Sequence, residues 1–230
     1  MRWPVPVVEV IDVKKIYKQG KVTVKALDGV TLGFEKGEFT SLAGPSGSGK
    51  TTLLNIIGGI DSADSGEVIM DGRSYKGMGE GKLAELRLHS IGFVFQAYNL
   101  IPVLSAVENV EYVLRLRGVK TADARNRAME MLSEVGLADM AKRRPAELSG
   151  GQQQRVAVAR AIVGEPALVL ADEPTANLDS KTGESLLKLM LKMNTEKNIT
   201  FIFSTHDRMV MDFAKRIVRL RDGRVEDEGR

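Results

Sequence analysis

Cysteine is absent from the 230 residues, which removes disulfides, thiolate metal ligation and cysteine nucleophiles and suits a reducing cytosol. No apolar run approaches the roughly 18 residues that a membrane-spanning helix requires, so any role at a membrane must come through a partner. The opening Met1-Arg2-Trp3-Pro4 leads into Val5 to Val10, broken by Pro6 and Glu9, and this segment is no secretory signal core. Charge of one sign is scarce too: 33 Lys and Arg against 30 Asp and Glu leave only +3. Nucleic-acid binders usually concentrate basic residues in one stripe, so no nucleic-acid partner is expected. Internal repeats, low-complexity tracts and coiled-coil heptads are also missing.

What remains, 43% hydrophobic and 27% charged residues, suits one globular domain with room for an inserted subdomain. Residues 7–34 read as short strands with turns, Val22 and Val24 alternating with Thr23 and Lys25, and Asp28-Gly29 as a turn. Phe39 to Ala43 reads as a buried parallel strand ending at Gly44. Lys50 to Ile57 has Leu53, Ile56 and Ile57 at helical spacing and stops at Gly58-Gly59. Ala167 to Ala171 and Ile199 to Phe203 are further buried-strand candidates, and Ile217 to Val225 reads as a hairpin on Asp222-Gly223. Strands alternating with helices predict an α/β core around a mostly parallel sheet. From Ser105 to about Val163 the pattern is helical throughout. Ser105 and Glu108 suggest a capping box ahead of Val107, Val110 and Leu114, and Ala124, Ala128, Met131, Leu132 and Val135 form a second stripe closed by Gly136.

Three segments point to chemistry. Gly44-Pro45-Ser46-Gly47-Ser48-Gly49-Lys50-Thr51 matches the phosphate-loop pattern G-x-x-x-x-G-K-[ST] between a strand and a helix. Glycines let the backbone turn successive N–H groups toward phosphate oxygens, and the helix start adds the positive end of its dipole. In such a loop Lys50 reaches the β- and γ-phosphates of ATP, and the Thr51 hydroxyl ligates Mg²⁺. The apolar run Leu168 to Ala171 ends in Asp172-Glu173. There Asp172 can hold Mg²⁺ through water, and Glu173, pointing elsewhere, can accept a proton from attacking water. The third segment, Leu148-Ser149-Gly150-Gly151-Gln152, precedes a helix with Val156, Ala159 and Val163 on one face. Ser149 and Gln152 could form a capping box. Two glycines in a first helical turn nevertheless cost about 1 kcal/mol each against alanine if interior, which points to a close approach to the backbone. This would be a second phosphate-binding helix end.

Together, and in this order over nearly the whole chain, these segments resemble the ABC ATPases. The resemblance implies a P-loop NTPase (RecA-like) α/β core with a mostly parallel sheet, an N-terminal antiparallel β subdomain and an inserted α-helical subdomain. One domain would span 1–230, its nucleotide-binding core 1–95 and 166–230, its helical signature subdomain 96–165. It assigns nucleotide contacts to Tyr17, which would stack on adenine, to Gly44 through Thr51 with Thr52, to Gln96, and to Ser149, Gly151 and Gln152. Mg²⁺ would lie at Thr51, Asp172 and Gln96; catalysis would fall to Glu173, His206, Gln96 and Lys50. Residues 176–179 look like the loop that contacts an opposing subunit. Implied partners are a second copy, sandwiching ATP between one phosphate loop and the other's signature, and transmembrane permease subunits. These would place the chain in the cytoplasm, peripheral on the inner face of the cell membrane. His89, the second of two histidines, reads as surface or packing.

Phe93 to Pro102, Leu104 to Val110 and Asn55 to Asp61 resemble the lipoprotein-releasing and macrolide-exporter group. Leu100, Ile101 and Pro102 fall where that family docks its membrane partner, or pack inside the helical insert. ABC ATPases of DNA repair or translation have long coiled-coil insertions or tandem units, for which 230 residues leave no room. A regulatory module without hydrolysis would lack Glu173 or His206. A GTPase would need an N-K-x-D-like segment, which is missing.

Overall fold

The computed structural model describes residues 6–20 and 22–229; the reading of Met1 to Val5 lies outside these residues. In chain order the elements are β1 (Val8–Gln19), β2 (Val22–Phe34), β3 (Phe39–Ala43), α1 (Lys50–Ile57), β4 (Ser65–Met70), β5 (Arg73–Ser74), α2 (Glu80–Ser90) and β6 (Ile91–Val94). Then follow α3 (Ala106–Leu116), α4 (Thr121–Glu134), α5 (Gly150–Ile162), β7 (Leu168–Asp172), α6 (Ser180–Lys197), β8 (Thr200–Thr205), α7 (Arg208–Phe213), β9 (Arg216–Arg221) and β10 (Arg224–Gly229).

A four-stranded antiparallel sheet runs β2-β1-β4-β5, and a six-stranded sheet runs β10-β9-β3-β8-β7-β6, parallel except for β10. The inner strands of the second sheet are apolar on both sides because both faces are covered. Phe39, Val169, Ala171, Phe201 and Phe203 face one cluster, shared with apolar residues of α3, α4, α5 and α6. Their alternates Leu42, Leu168, Leu170 and Ile202 face the other, against α1 and the antiparallel sheet. The first cluster is continuous from Val110 and Leu132 through Val156 to the sheet, so the helical segment shares its core with the strands.

Three expectations need correction. Residues 7–34 form two long strands, not several short ones, and Asp28-Gly29 is no turn. It lies inside β2, where the register against β1 shifts and Gly29 takes φ 85°, as a β-bulge requires. Asp28 is held there by Arg224 at 2.8 Å, and its N–H donates to Gly223 O. The third concerns the 105–163 block, which is not helical throughout. Between α4 and α5 it breaks into 3₁₀ turns at Ala138–Met140 and Pro145–Glu147. The Ser105–Glu108 capping box forms, with Glu108 accepting from Ser105 N–H at 2.8 Å.

Candidate nucleotide site

Strands β6, β7, β8 and β3 lie side by side, with Val94 opposite Ala171, Asp172 opposite Ser204 and Ala43 opposite Thr205. Their carboxyl ends therefore finish at one edge, and the segments leaving them bear Gln96, Glu173, His206 and the phosphate loop. This edge is where open parallel sheets place ligands. It opens into a cleft of about 670 Å³.

The loop curls as its glycines permit, with Gly44 at φ 152°, Gly47 at 80° and Gly49 at 102°. A side chain at Gly49 would also put its Cβ 2.4 Å from Ala26 O, so only glycine lets the loop settle on β2. α1 then starts at Gly49 with no side chain capping it, leaving its first amides turned toward the cleft. Lys50 Nζ donates to Gly44 O at 2.8 Å and Pro45 O at 2.9 Å. Burial lowers its pKa, opposed by the charges of Glu173 and Asp172. Thr51 Oγ1 donates to Asp172 Oδ1 at 3.1 Å, joining the loop to the end of β7.

Glu173 sits in the left-handed region at φ 45°, its N–H donating to Ser204 O. For a residue with a side chain this costs about 1–2 kcal/mol. The turn sends the carboxylate away from Asp172. Oε2 accepts from Thr205 Oγ1 at 3.1 Å, and Oε1 lies 2.6 Å from His206 Nδ1. The His206 ring is largely exposed, whereas Glu173 is mostly covered.

Tyr17 lines the cleft beside Pro45, Ser46 and Thr52. Its hydroxyl donates to Asp61 Oδ2 at 2.6 Å, and Lys15 Nζ lies over its ring at 5.2 Å. Burial and then Asp61 raise its pKa. Gln96 lines the cleft as well, its main-chain carbonyl accepting from Asn177 Nδ2 at 3.0 Å. Gly44 and Ser48 complete the loop behind the cleft; the Ser48 hydroxyl is buried and makes no hydrogen bond among the described residues.

Ser149, Gly151 and Gln152 are not among the residues lining this cleft. They start α5 with a closed capping box, Ser149 Oγ accepting from Gln152 N–H and Gln152 Oε1 from Ser149 N–H. The close approach expected from the two glycines is found within the chain. A Cβ on Gly150 would lie 2.8 Å from the Tyr98 hydroxyl oxygen, and one on Gly151 would lie 2.4 Å from Thr182 Cγ2.

Val24, Ala26 and Ser204 line the cleft too and went unmarked. Val24, 46% exposed, sits beside Tyr17, and the pattern around it signals only a strand. Ser204 brings to the cleft wall a buried hydroxyl with no hydrogen-bond partner among the described residues; nothing but strand register could have found it. Of the proposed docking residues, Leu100 packs against the helical core and Pro102 is exposed. His89 is a helix residue whose Nδ1 lies 3.0 Å from Glu85 O.

A phosphate loop leaving a parallel strand, an acidic pair on the next strand but one, and a capped diglycine helix define a P-loop nucleotide-binding cassette. The family model described as ABC transporter matches residues 27–176. The lipoprotein-releasing system ATP-binding protein LolD of Geobacter metallireducens is 46% identical over 94% of this chain and 96% of its own length. The macrolide export ATP-binding/permease protein MacB of Syntrophobacter fumaroxidans is 46% identical over 96% of this chain, which spans only 31% of that longer protein. A dimeric post-hydrolysis structure of the ATP-binding cassette MJ0796, bound to ADP and Pi, aligns with TM-score 0.90 and 45% identity, covering 97% of this chain and 98% of the other. The chain belongs to the ABC transporter family, as an ATP-binding subunit. Among the described residues no helix is long and apolar enough to cross a membrane.

Proposed function

We propose that this chain binds Mg-ATP in the cleft, pairs head-to-tail with a second copy, hydrolyses the nucleotide and thereby drives a separate transmembrane permease of the lipoprotein-releasing or macrolide-exporting kind. The observation that carries this reading is a separation. The phosphate loop lies in the cleft, while the capped N-terminus of α5 lies outside its lining. A helix end of that kind is left for the nucleotide of another copy.

Within the cleft, the glycine loop and Lys50 hold the β- and γ-phosphates, with Thr52 beside them, and Tyr17 faces adenine. Thr51 and Asp172 offer hard oxygen donors 3.1 Å apart, a pair that fits Mg²⁺, with Gln96 completing the set. Bound there, the ion neutralises charge developing on the transferred phosphoryl group. Glu173, fixed at both oxygens by Thr205 and His206, takes the proton of the attacking water. His206 reaches from the same edge toward the γ-phosphate. Ser149, Gly151 and Gln152 act on the partner copy's nucleotide, and residues 176–179 face that partner. Residues 1–95 and 166–230 serve as the core, and 96–165 as the helical signature part.

A groove of about 410 Å³ lies between α2, β6 and the helical segment, lined by Phe93, Phe95, Val113, Arg87, Arg117 and Arg160. It suits an amphipathic permease segment, which would hold the chain at the inner face of the membrane. ATP-driven closure of the dimer would pass through it as a rigid-body movement.

Glu173→Gln keeps size and hydrogen bonding while removing the proton acceptor. Turnover should fall by at least about 100-fold, with ATP still bound and a longer-lived dimer on size exclusion. Undiminished hydrolysis would remove Glu173 from the mechanism.

A further inference from the structure

The loop that presents Gln96 is bent in an uncommon way. Tyr98 and Asn99 are consecutive residues in the left-handed region, at φ 59° and 48°. Side chains seldom tolerate this once, and rarely twice in a row. In extended backbone successive carbonyls point to opposite sides; a doubly left-handed bend turns them the same way. Both then meet one guanidinium: Arg160 Nη2 donates to Tyr98 O at 2.9 Å and Nη1 to Asn99 O at 2.5 Å. The bend closes on itself through Asn99 N–H to Ala97 O at 2.6 Å and Tyr98 N–H to Phe95 O at 3.1 Å.

Arg160 is mostly buried, and burial lowers its pKa, with no carboxylate among the described residues opposing it. A covered guanidinium without a counter-ion is unfavourable unless fixed dipoles replace water, and the two aligned carbonyls are those dipoles. The side chain is absent from the cleft lining and sits in the permease-facing groove instead. Any influence on hydrolysis is therefore indirect, and the loop it grips is the one that bears Gln96.

We propose that Arg160 is a positioning residue for Gln96, clamping the bend that sets where this glutamine stands in the cleft. The inference rests on the reading that Gln96 serves the ATP site. It also gives an occupant of the groove a physical handle on that glutamine, since the guanidinium lines the groove on one side and grips the loop on the other.

The test is steady-state hydrolysis by the whole chain with Arg160→Ala, Arg160→Lys, Gln96→Ala and the double variant Gln96→Ala/Arg160→Ala. Arg160→Ala should lower kcat about 10- to 100-fold, as a misplaced reacting group does, with the KM for ATP changed less than about twofold. Since both residues act through one loop, their effects should not multiply: the double variant should match Gln96→Ala alone. Millimolar guanidinium should restore part of the loss in Arg160→Ala and leave the wild type unchanged. Multiplicative losses, or a folded Arg160→Ala with full turnover, would overturn the proposal. Should Arg160→Ala fail to fold, Arg160→Lys decides, because it keeps charge and stem but spans only one carbonyl; its smaller loss must also vanish in the Gln96→Ala background. Full turnover by Gln96→Ala alone would sink the role of Gln96 itself, whereas loss there with none in the Arg160 variants would sink only the clamp.

Discussion

The two helix N-termini proposed to meet phosphate are built in opposite ways. α1 emerges from a glycine loop with no side-chain cap, its amides open to the cleft and Lys50 beside them. α5 starts with Ser149 and Gln152 already capping one another, and its bare Cα positions press on Tyr98 and Thr182 of the same chain. One end is complete within a single copy. The other is a packed joint, its first amides partly capped within the chain. Binding energy and coupling can thus be separated by mutation, which a single pocket would not allow.

The largest expected effect lies at the open end. Lys50→Ala removes a cation from the phosphate site, where charge-assisted hydrogen bonds are worth about 1.5–3 kcal/mol each. ATP affinity of the isolated chain, measured by titration with a fluorescent analogue, should fall about 10- to 100-fold. Ser149→Ala should leave that affinity within about twofold while weakening the ATP-induced dimer. Equal loss of monomer affinity in both variants would erase the distinction between the two ends.

A middle-sized effect sharpens the second half of the comparison. Gly151→Ala brings a methyl against Thr182 Cγ2 at 2.4 Å, and overpacking of this kind costs about 1–3 kcal/mol. Thr182→Ser deletes that methyl yet keeps the hydroxyl that donates to Asp179 Oδ2 at 2.5 Å. Added to Gly151→Ala it should restore most of the lost melting temperature. If Gly151 also serves the partner's nucleotide, hydrolysis should stay low in the stabilised double variant. Recovery of both together would reduce Gly151 to a packing glycine.

Much of this was legible in the sequence because it is local. The phosphate loop, its strand and its helix were bounded by an apolar run and a glycine stop, and β3 and α1 fall on Phe39–Ala43 and Lys50–Ile57 as expected. The same dipeptide shows where locality ends. Asp222-Gly223 is a true hairpin turn, both residues left-handed at φ 48° and 74°, as a type I′ turn requires. Asp28-Gly29 looks identical in sequence, but only the glycine is left-handed, and Arg224, far along the chain, holds the aspartate in a strand. Tertiary contacts decided that case. Ser204 and Arg160 were hidden for the same reason, one revealed by strand register and the other by carbonyls some sixty residues earlier. The strand that was expected to end in an aspartate does so, at Leu168–Asp172, and its terminal carboxylate stands within reach of Thr51.

The smallest effect concerns the open end without its ligand. Burial lowers the Lys50 pKa below the ordinary 10.5, with Glu173 and Asp172 opposing, so the folded chain holds this proton less tightly than the unfolded chain. Between the lowered value and 10.5 the unfolded state binds more protons, and stability must therefore rise with pH through that window. Lys50→Met lacks the titrating group and cannot show the rise. In ATP-free protein, the melting temperature of Lys50→Met minus that of the wild type should decline steadily as pH is raised from about 8 toward 10.5. A flat difference for Lys50 would mean that its ammonium is no worse solvated in the loop than in the open chain, and the burial argued for it would fall.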